Sequence, residues 1–195
     1  MTHGKQRIIF NENNDFKKGL FLFNMVRKDV NKFLEQSTVE IDLEELPVNK
    51  TNTKFDKSNS VIAIDLNHAY WRIAYLKNYI TEKTYYKGLE DEMPKPVKLA
   101  TLSTLGRPKT YDVYKKGEYS HSENTEANNE LMNIYNDIRQ STYRIMQEIA
   151  DALGEDFFCW RTDCIYFKNT KDNCKTVINI VESHNIGWKY ETKED

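Results

Sequence analysis

The stretch Val61 to Arg72, VIAIDLNHAYWR, limits the possible folds of this chain more than any other. An uninterrupted apolar run, Val61-Ile62-Ala63-Ile64, ends on Asp65, after which Ala69, Tyr70, Ile73 and Ala74 recur at helical spacing. That pattern predicts a buried strand handing over to a helix. Asp65 then lies at the strand's carboxyl edge, where sheets flanked by helices tend to present chemistry to solvent. A second acid has a similar setting. Asp163 sits in Phe157 to Phe167, FFCWRTDCIYF, where two apolar strands flank a polar tip. This is a hairpin pattern, although it lacks the Asn-Gly or Gly-X pair of the strongest turn signal.

The 195 residues suffice for one domain with a real core and are too few for several enzymatic modules. With 30% charged residues and a net charge of -2, bulk electrostatics do not announce a nucleic-acid partner, and any basic groove must be local. No apolar run of 18 residues is present, and Met1-Thr2-His3-Gly4-Lys5 lacks the apolar core of a signal peptide, so no membrane partner and a cytoplasmic location are expected. Cys159, Cys164 and Cys174 are an odd number without partners at zinc spacing, which reads as thiols in a reducing compartment. Cys159 and Cys164 are placed to face each other across the hairpin, in a packing role.

Along the chain, Ile8 to Phe10 is a short strand candidate. Leu20, Phe23, Val26, Val30, Phe33 and Leu34 predict a helix over Phe16 to Leu34, and Val39 to Leu43 alternates like a strand. Pro47 to Ser60 is polar and reads as a loop or linker. The helix after Asp65 runs from about Asn67 to Tyr79, and Thr81 to Gly88 makes a short helical segment capped by Thr81. Pro94 and Pro96 interrupt Glu90 to Pro96. Lys98 to Leu105 is helix-compatible, with Gly106 and Pro108 as a stop. A tyrosine-rich strand pair or loop follows around Lys115-Lys116-Gly117, and Ser120 to Asn129 reads as mobile. Leu131 to Leu153 carries the clearest apolar stripe, closed by Gly154. After the hairpin come a helix over Asp172 to His184 and a strand over Gly187 to Tyr190.

Counted from Val61, and leaving out the region at about 80–128, the order is β-α-β-β-α-β. The fold class is thus α+β, a ferredoxin-like arrangement with an inserted helical region. Residues 1–60 form a small N-terminal appendage and linker, and residues 61–195 the main domain. In such a topology the first and third strands are neighbours, which brings Asp65 toward Asp163. Paired carboxylates at adjacent strand ends suit Mg²⁺, which keeps several waters and lets substrate phosphates complete its shell. Two such ions about 4 Å apart can activate an attacking hydroxyl and stabilise the leaving oxygen in phosphoryl transfer. The plainer alternative makes Asp65 a helix N-terminal acid and Asp163 a turn residue.

Three segments bear on that choice. Asp65-Leu66-Asn67-His68-Ala69-Tyr70 resembles motif A of the family B DNA polymerases, which runs Asp, two variable residues, Ser, Leu, Tyr, Pro. Arg161-Thr162-Asp163-Cys164 resembles their motif C, Asp-Thr-Asp-Ser. Lys98 to Gly106 keeps the Lys, Ser and Gly positions of motif B, in the family's order along the chain. The resemblance covers Val61 to about Glu191. It implies a reduced palm domain, of a kind encoded by phages, acting as a DNA polymerase-like nucleotidyltransferase in DNA replication. Asp65 and Asp163 would hold two Mg²⁺ or Mn²⁺ ions, with the Leu66 carbonyl as a further ligand. Tyr70 would sit under the sugar of the incoming deoxynucleoside triphosphate, Lys98 would neutralise its phosphates, and Gly106 would admit the nascent base pair.

The departures are specific. Arg161 stands where motif C has its first Asp; His68, Ala69 and Trp71 replace Ser, Leu and Pro; Leu102 and Leu105 replace Asn and Tyr. The chain has room neither for long helical fingers nor for a thumb, so a replication protein or a second copy would supply the grip on DNA. Arg161 also supports an alternative, a catalytically inactive palm descendant that binds nucleic acid or a replication partner. His68 is either a ligand or a surface residue. Tyr85, Tyr86, Tyr111, Tyr114 and Tyr119, interleaved with Lys83, Lys87, Lys115 and Lys116, suit single strands or ordinary packing. Lys189 beside Tyr190 is similar to the family's primer-contacting Lys-any-Tyr, at a different spacing.

Overall fold

The computed structural model describes residues 13–39, 45–90, 93, 95–108, 110–115 and 117–191. It is a mixed α and β structure with six helices and two antiparallel sheets among these residues. The chain divides into two compact units, one of Met1–Ser37 with Asn78–Met132 and one of Thr38–Lys77 with Asn133–Asp195. The N-terminal helix therefore clusters with the inserted region, and the linker after it belongs with the acids. The strand expected at Ile8 to Phe10, and residues 40–43 of the one expected at Val39 to Leu43, lie outside the described residues. No helix of the described residues is long and apolar enough to cross a membrane.

In the first unit, α1 (Asn13–Gln36) buries Leu22, Val26 and Val30, which lie four residues apart on one face. Leu20, expected on that stripe, is instead exposed. Helix α3 (Glu82–Leu89) starts where Thr81 accepts a hydrogen bond from the Thr84 amide, as its sequence predicts. Asp29 of α1 accepts from the Thr81 amide and from both threonine hydroxyls, which fixes α1 against this helix start. Helix α4 (Lys95–Ser103) begins earlier than expected, because Pro96 falls in its first turn, where a missing N–H leaves no helical bond unmade. Strands β3 (Thr110–Lys115) and β4 (Glu118–Asn124) form a hairpin, so the first half of the segment expected to be mobile, Ser120 to Asn124, is strand.

The second unit holds a five-stranded antiparallel sheet. Its strands are β1 (Asn49–Thr51), β2 (Val61–Leu66), β5 (Phe157–Arg161), β6 (Cys164–Lys168) and β7 (Trp188–Tyr190), in the order β1-β5-β6-β2-β7. Strand β1 arises inside the segment read as linker: its three exposed residues have no apolar pattern and are held by pairing with β5. Helix α2 (Ala69–Leu76) is shorter than the sequence suggests. Helix α5 (Asn129–Leu153) spans the apolar stripe, and Gly154, at φ +55°, takes the left-handed position that ends it. Helix α6 (Lys171–Ser183) follows the hairpin, capped by Thr170.

One face of the sheet is dry: Ile64, Trp160, Ile165 and Phe167 have no exposed surface. Strand alternation sends the next residues to the other face. There the register runs in one line across all five strands, Asn49 opposite Arg161, Arg161 opposite Cys164, Cys164 opposite Asp65, and Asp65 opposite Lys189. Cys159 pairs with Tyr166 rather than with Cys164, so the two thiols do not face each other. The two-residue turn Thr162-Asp163 fixes that register, and all three cysteines are free.

Candidate functional site

Asp65 stands near the middle of the polar line, with strands on both sides of it. Where β2 ends, the Leu66 amide donates to the Asp163 carbonyl at 2.9 Å and the Asn67 amide to the Gly187 carbonyl at 2.8 Å. The Thr162 amide in turn donates to the Val48 carbonyl at 3.0 Å. These bonds tie the end of β2 to the β5–β6 turn, so the backbones of Asp65 and Asp163 lie close to each other at this edge of the sheet. Thr162 has φ 54°, a conformation that a β-branched residue rarely adopts. The sheet on both sides of the turn holds it there.

Lys189 places its ammonium 3.5 Å from the Asp65 carboxylate, with 62% of the lysine side chain exposed against 18% of the aspartate's. On the same face Glu191 accepts from the Tyr166 hydroxyl at 2.7 Å and the Cys164 thiol at 3.1 Å. Those two donors hold the Glu191 carboxyl below its ordinary range, and the Tyr166 hydroxyl is raised in return. Burial, aided by Glu191 and by the Asp65 charge, pushes the Cys164 thiol up to about 12, which leaves it unreactive. Burial also raises the Cys159 thiol, against the opposing pull of the neighbouring Arg161 guanidinium.

Tyr70 is buried, and its hydroxyl meets that of Tyr143 at 2.9 Å. Burial first, then this bond, raises it well above the ordinary phenol value, and the Asp163 carboxylate acts in the same direction. The tyrosine expected beneath a nucleotide sugar thus has its hydroxyl engaged inside the fold, within electrostatic reach of Asp163. His68 is exposed at φ 50° and offers α2 no side-chain cap. Among the described residues no group of three or more His, Cys, Asp and Glu side chains could hold a metal, so the two acids would depend on water and substrate oxygens to complete a shell.

Lys98 and Gly106 belong to the first unit. Lys98 is 7% exposed on α4, a buried setting for a residue expected to meet phosphates. Gly106 has φ +72°, and a Cβ there would run into the Asn128 carbonyl and lie 2.6 Å from the Met132 amide. The start of α5 itself therefore demands a glycine at this position. The sequence drew attention to neither Tyr166, Glu191 nor Tyr143, although Tyr143 shares the α5 stripe with Tyr135 and Arg139 at intervals of four. Comparison of the chain with protein-family models, with curated proteins and with solved structures finds no match.

Proposed function

We propose that the Asp65–Asp163 corner binds Mg²⁺ or Mn²⁺ and supports phosphoryl transfer to a DNA end from a deoxynucleoside triphosphate. In this reading the chain is a small palm-type nucleotidyltransferase. The observation that carries it is the Leu66 to Asp163 backbone bond, which holds the two acid-bearing strand ends side by side. Further support comes from the strand order: without β1 it runs β5-β6-β2-β7, the ferredoxin-like sequence of neighbours inferred from the element order. The Lys189–Asp65 pair does not oppose metal binding strongly. A pair whose lysine is this exposed contributes about 0–1 kcal/mol, which a divalent ion at the carboxylate outweighs.

Titration calorimetry with Mn²⁺ and extension of a labelled primer test the reading together. Saturable Mn²⁺ binding and extension, both lost in Asp65→Ala and Asp163→Ala, are the expected results. Equal product from the double alanine protein removes it.

A second reading rests on Arg161 and Lys189, the two cations that share the register line with Asp65. With them the corner needs no metal for charge balance, and the sheet face becomes a binding surface of an inactive palm descendant for nucleic acid or a replication partner. Absence of Mn²⁺ binding together with salt-sensitive binding of single-stranded DNA selects it.

A further inference from the structure

The first unit contains a cavity of about 90 Å³, lined by α1 and by the loops at either end of the β3–β4 hairpin. Arg27 comes from α1, Arg107 from the loop before β3, and Glu126 and Asn128 from the loop after β4. Buried Leu105 and Leu131 supply apolar lining. The Asn128 amide donates to the Gly106 carbonyl at 2.8 Å, and the Leu131 amide to the Asn128 side chain at 3.0 Å, so the two loops are bonded into a fixed wall.

Neither the Arg27 nor the Arg107 side chain has a hydrogen bond or an ion pair among the described residues. Two cations drawn to one small cavity repel each other, and an anion between them removes that cost. A guanidinium fork matches two oxygens of a phosphate. The volume admits one such group and excludes a sugar or base. Two guanidiniums against the Glu126 carboxylate give the lining a net charge of +1. A singly charged phosphodiester balances it, whereas a dianionic monoester would set its second charge against Glu126.

Phosphodiesters repeat along nucleic-acid strands, and the hairpin rooted at this cavity carries a matching feature. Tyr114 and Tyr119 stand opposite each other on it, 62% and 59% exposed, as rings on which unpaired bases stack. Asp112, Glu118 and Glu123 are exposed on the same hairpin and would repel an anionic membrane brought flat against it. We infer that the cavity grips one backbone phosphate of a single-stranded nucleic acid between Arg27 and Arg107. The site belongs to the other unit from Asp65 and Asp163, and it acts with or without a metal at those acids.

Fluorescence anisotropy of a short labelled oligothymidine, measured in EDTA, separates this site from any metal-dependent one. The wild type binds the strand. Arg27→Gln and Arg107→Gln each weaken it about tenfold, the loss of one charge-assisted contact. The double variant flattens the slope of log affinity against log salt by about 0.7, the share of one phosphate. Arg107→Lys, which keeps the charge and loses the fork, falls between wild type and Arg107→Gln. Glu126→Gln tightens binding by up to about fivefold, a gain that damage to the fold would not produce. An oligothymidine with an uncharged methylphosphonate backbone is not bound.

No binding by the wild type, equal affinity in wild type and double variant, or equal affinity for the uncharged strand overturns the inference. So does a protein that ignores the oligonucleotide yet binds phosphatidylglycerol vesicles through the two arginines. If Arg161→Gln removes strand binding and the double variant keeps it, the sheet face is the site and the cavity is not. Each of these results leaves the Mn²⁺ titration, and with it the metal reading, to be decided separately.

Discussion

Two hairpins sit in this chain under opposite conditions. In β5–β6 the turn Thr162-Asp163 joins strands whose Trp160, Ile165 and Phe167 are wholly buried. In β3–β4 the turn that contains Gly117 joins strands on which every described side chain but Val113 is exposed, Tyr114 and Tyr119 included. The exposed hairpin uses glycine, at φ +87°, for its left-handed residue, whereas the buried one forces Thr162 to φ 54°. An isolated hairpin depends on its turn. One built into a sheet is held by its neighbours, so its turn can carry a residue that an isolated hairpin would not use, here Thr162 at positive φ.

The largest test of this contrast is Trp160→Ala, which removes a fully buried ring and the Nε1 bond to the Pro47 carbonyl. A loss of about 3–5 kcal/mol is expected in urea unfolding, against at most about 0.5 kcal/mol for Tyr114→Ala or Tyr119→Ala. The turns come next and respond with opposite signs. Gly117→Ala costs the β3–β4 hairpin about 1 kcal/mol, read as faster amide exchange in its strands. Thr162→Gly gains about 0.5–1 kcal/mol, since relieved strain outweighs the added chain entropy. A loss of stability in Thr162→Gly would mean that the threonine side chain holds the turn.

Tyr166→Phe has a smaller effect, and a pH-dependent one. The Glu191 carboxyl is held below its ordinary 4.5, first by Tyr166 and then by Cys164. A depressed acid stabilises the fold above its unfolded pKa and loses that contribution as pH falls through the folded one. The variant is therefore less stable than wild type at neutral pH, by less than about 1 kcal/mol for so exposed a carboxylate. The difference closes once pH has fallen through the depressed folded-state value, below the ordinary carboxylate range, in thermal unfolding curves. The mildest test is alkylation of the folded protein at about pH 8: Cys174, partly exposed, reacts, while buried Cys159 and Cys164 do so only after denaturation.

Elements that carry their own local signal were legible in the sequence. The Thr81 cap, the α5 stripe with its closing Gly154, and the apolar arms of β5–β6 all belong to this group. Strand β1 was not, because Asn49, Lys50 and Thr51 are ordered by a partner more than a hundred positions away. The polar end of β4 escaped for a related reason: Ser120 to Asn124 pair with β3 without burying anything. At the candidate site the approach of the Asp65 and Asp163 backbones followed from topology. The company they keep did not. Lys189 reaches Asp65 through a β2–β7 register that no local pattern fixes, and Tyr143 finds Tyr70 only once α2 and α5 are packed.

The flanks of the large sheet have a bearing on how copies of the chain treat one another. Strands β1 and β7 have three residues each, and each carries a lysine at its centre, Lys50 and Lys189. A foreign strand docking there would gain few backbone bonds and would have to desolvate an ammonium group to do so. Side-by-side stacking of sheets, the usual route from a β-rich monomer to an insoluble fibre, is blunted at both flanks.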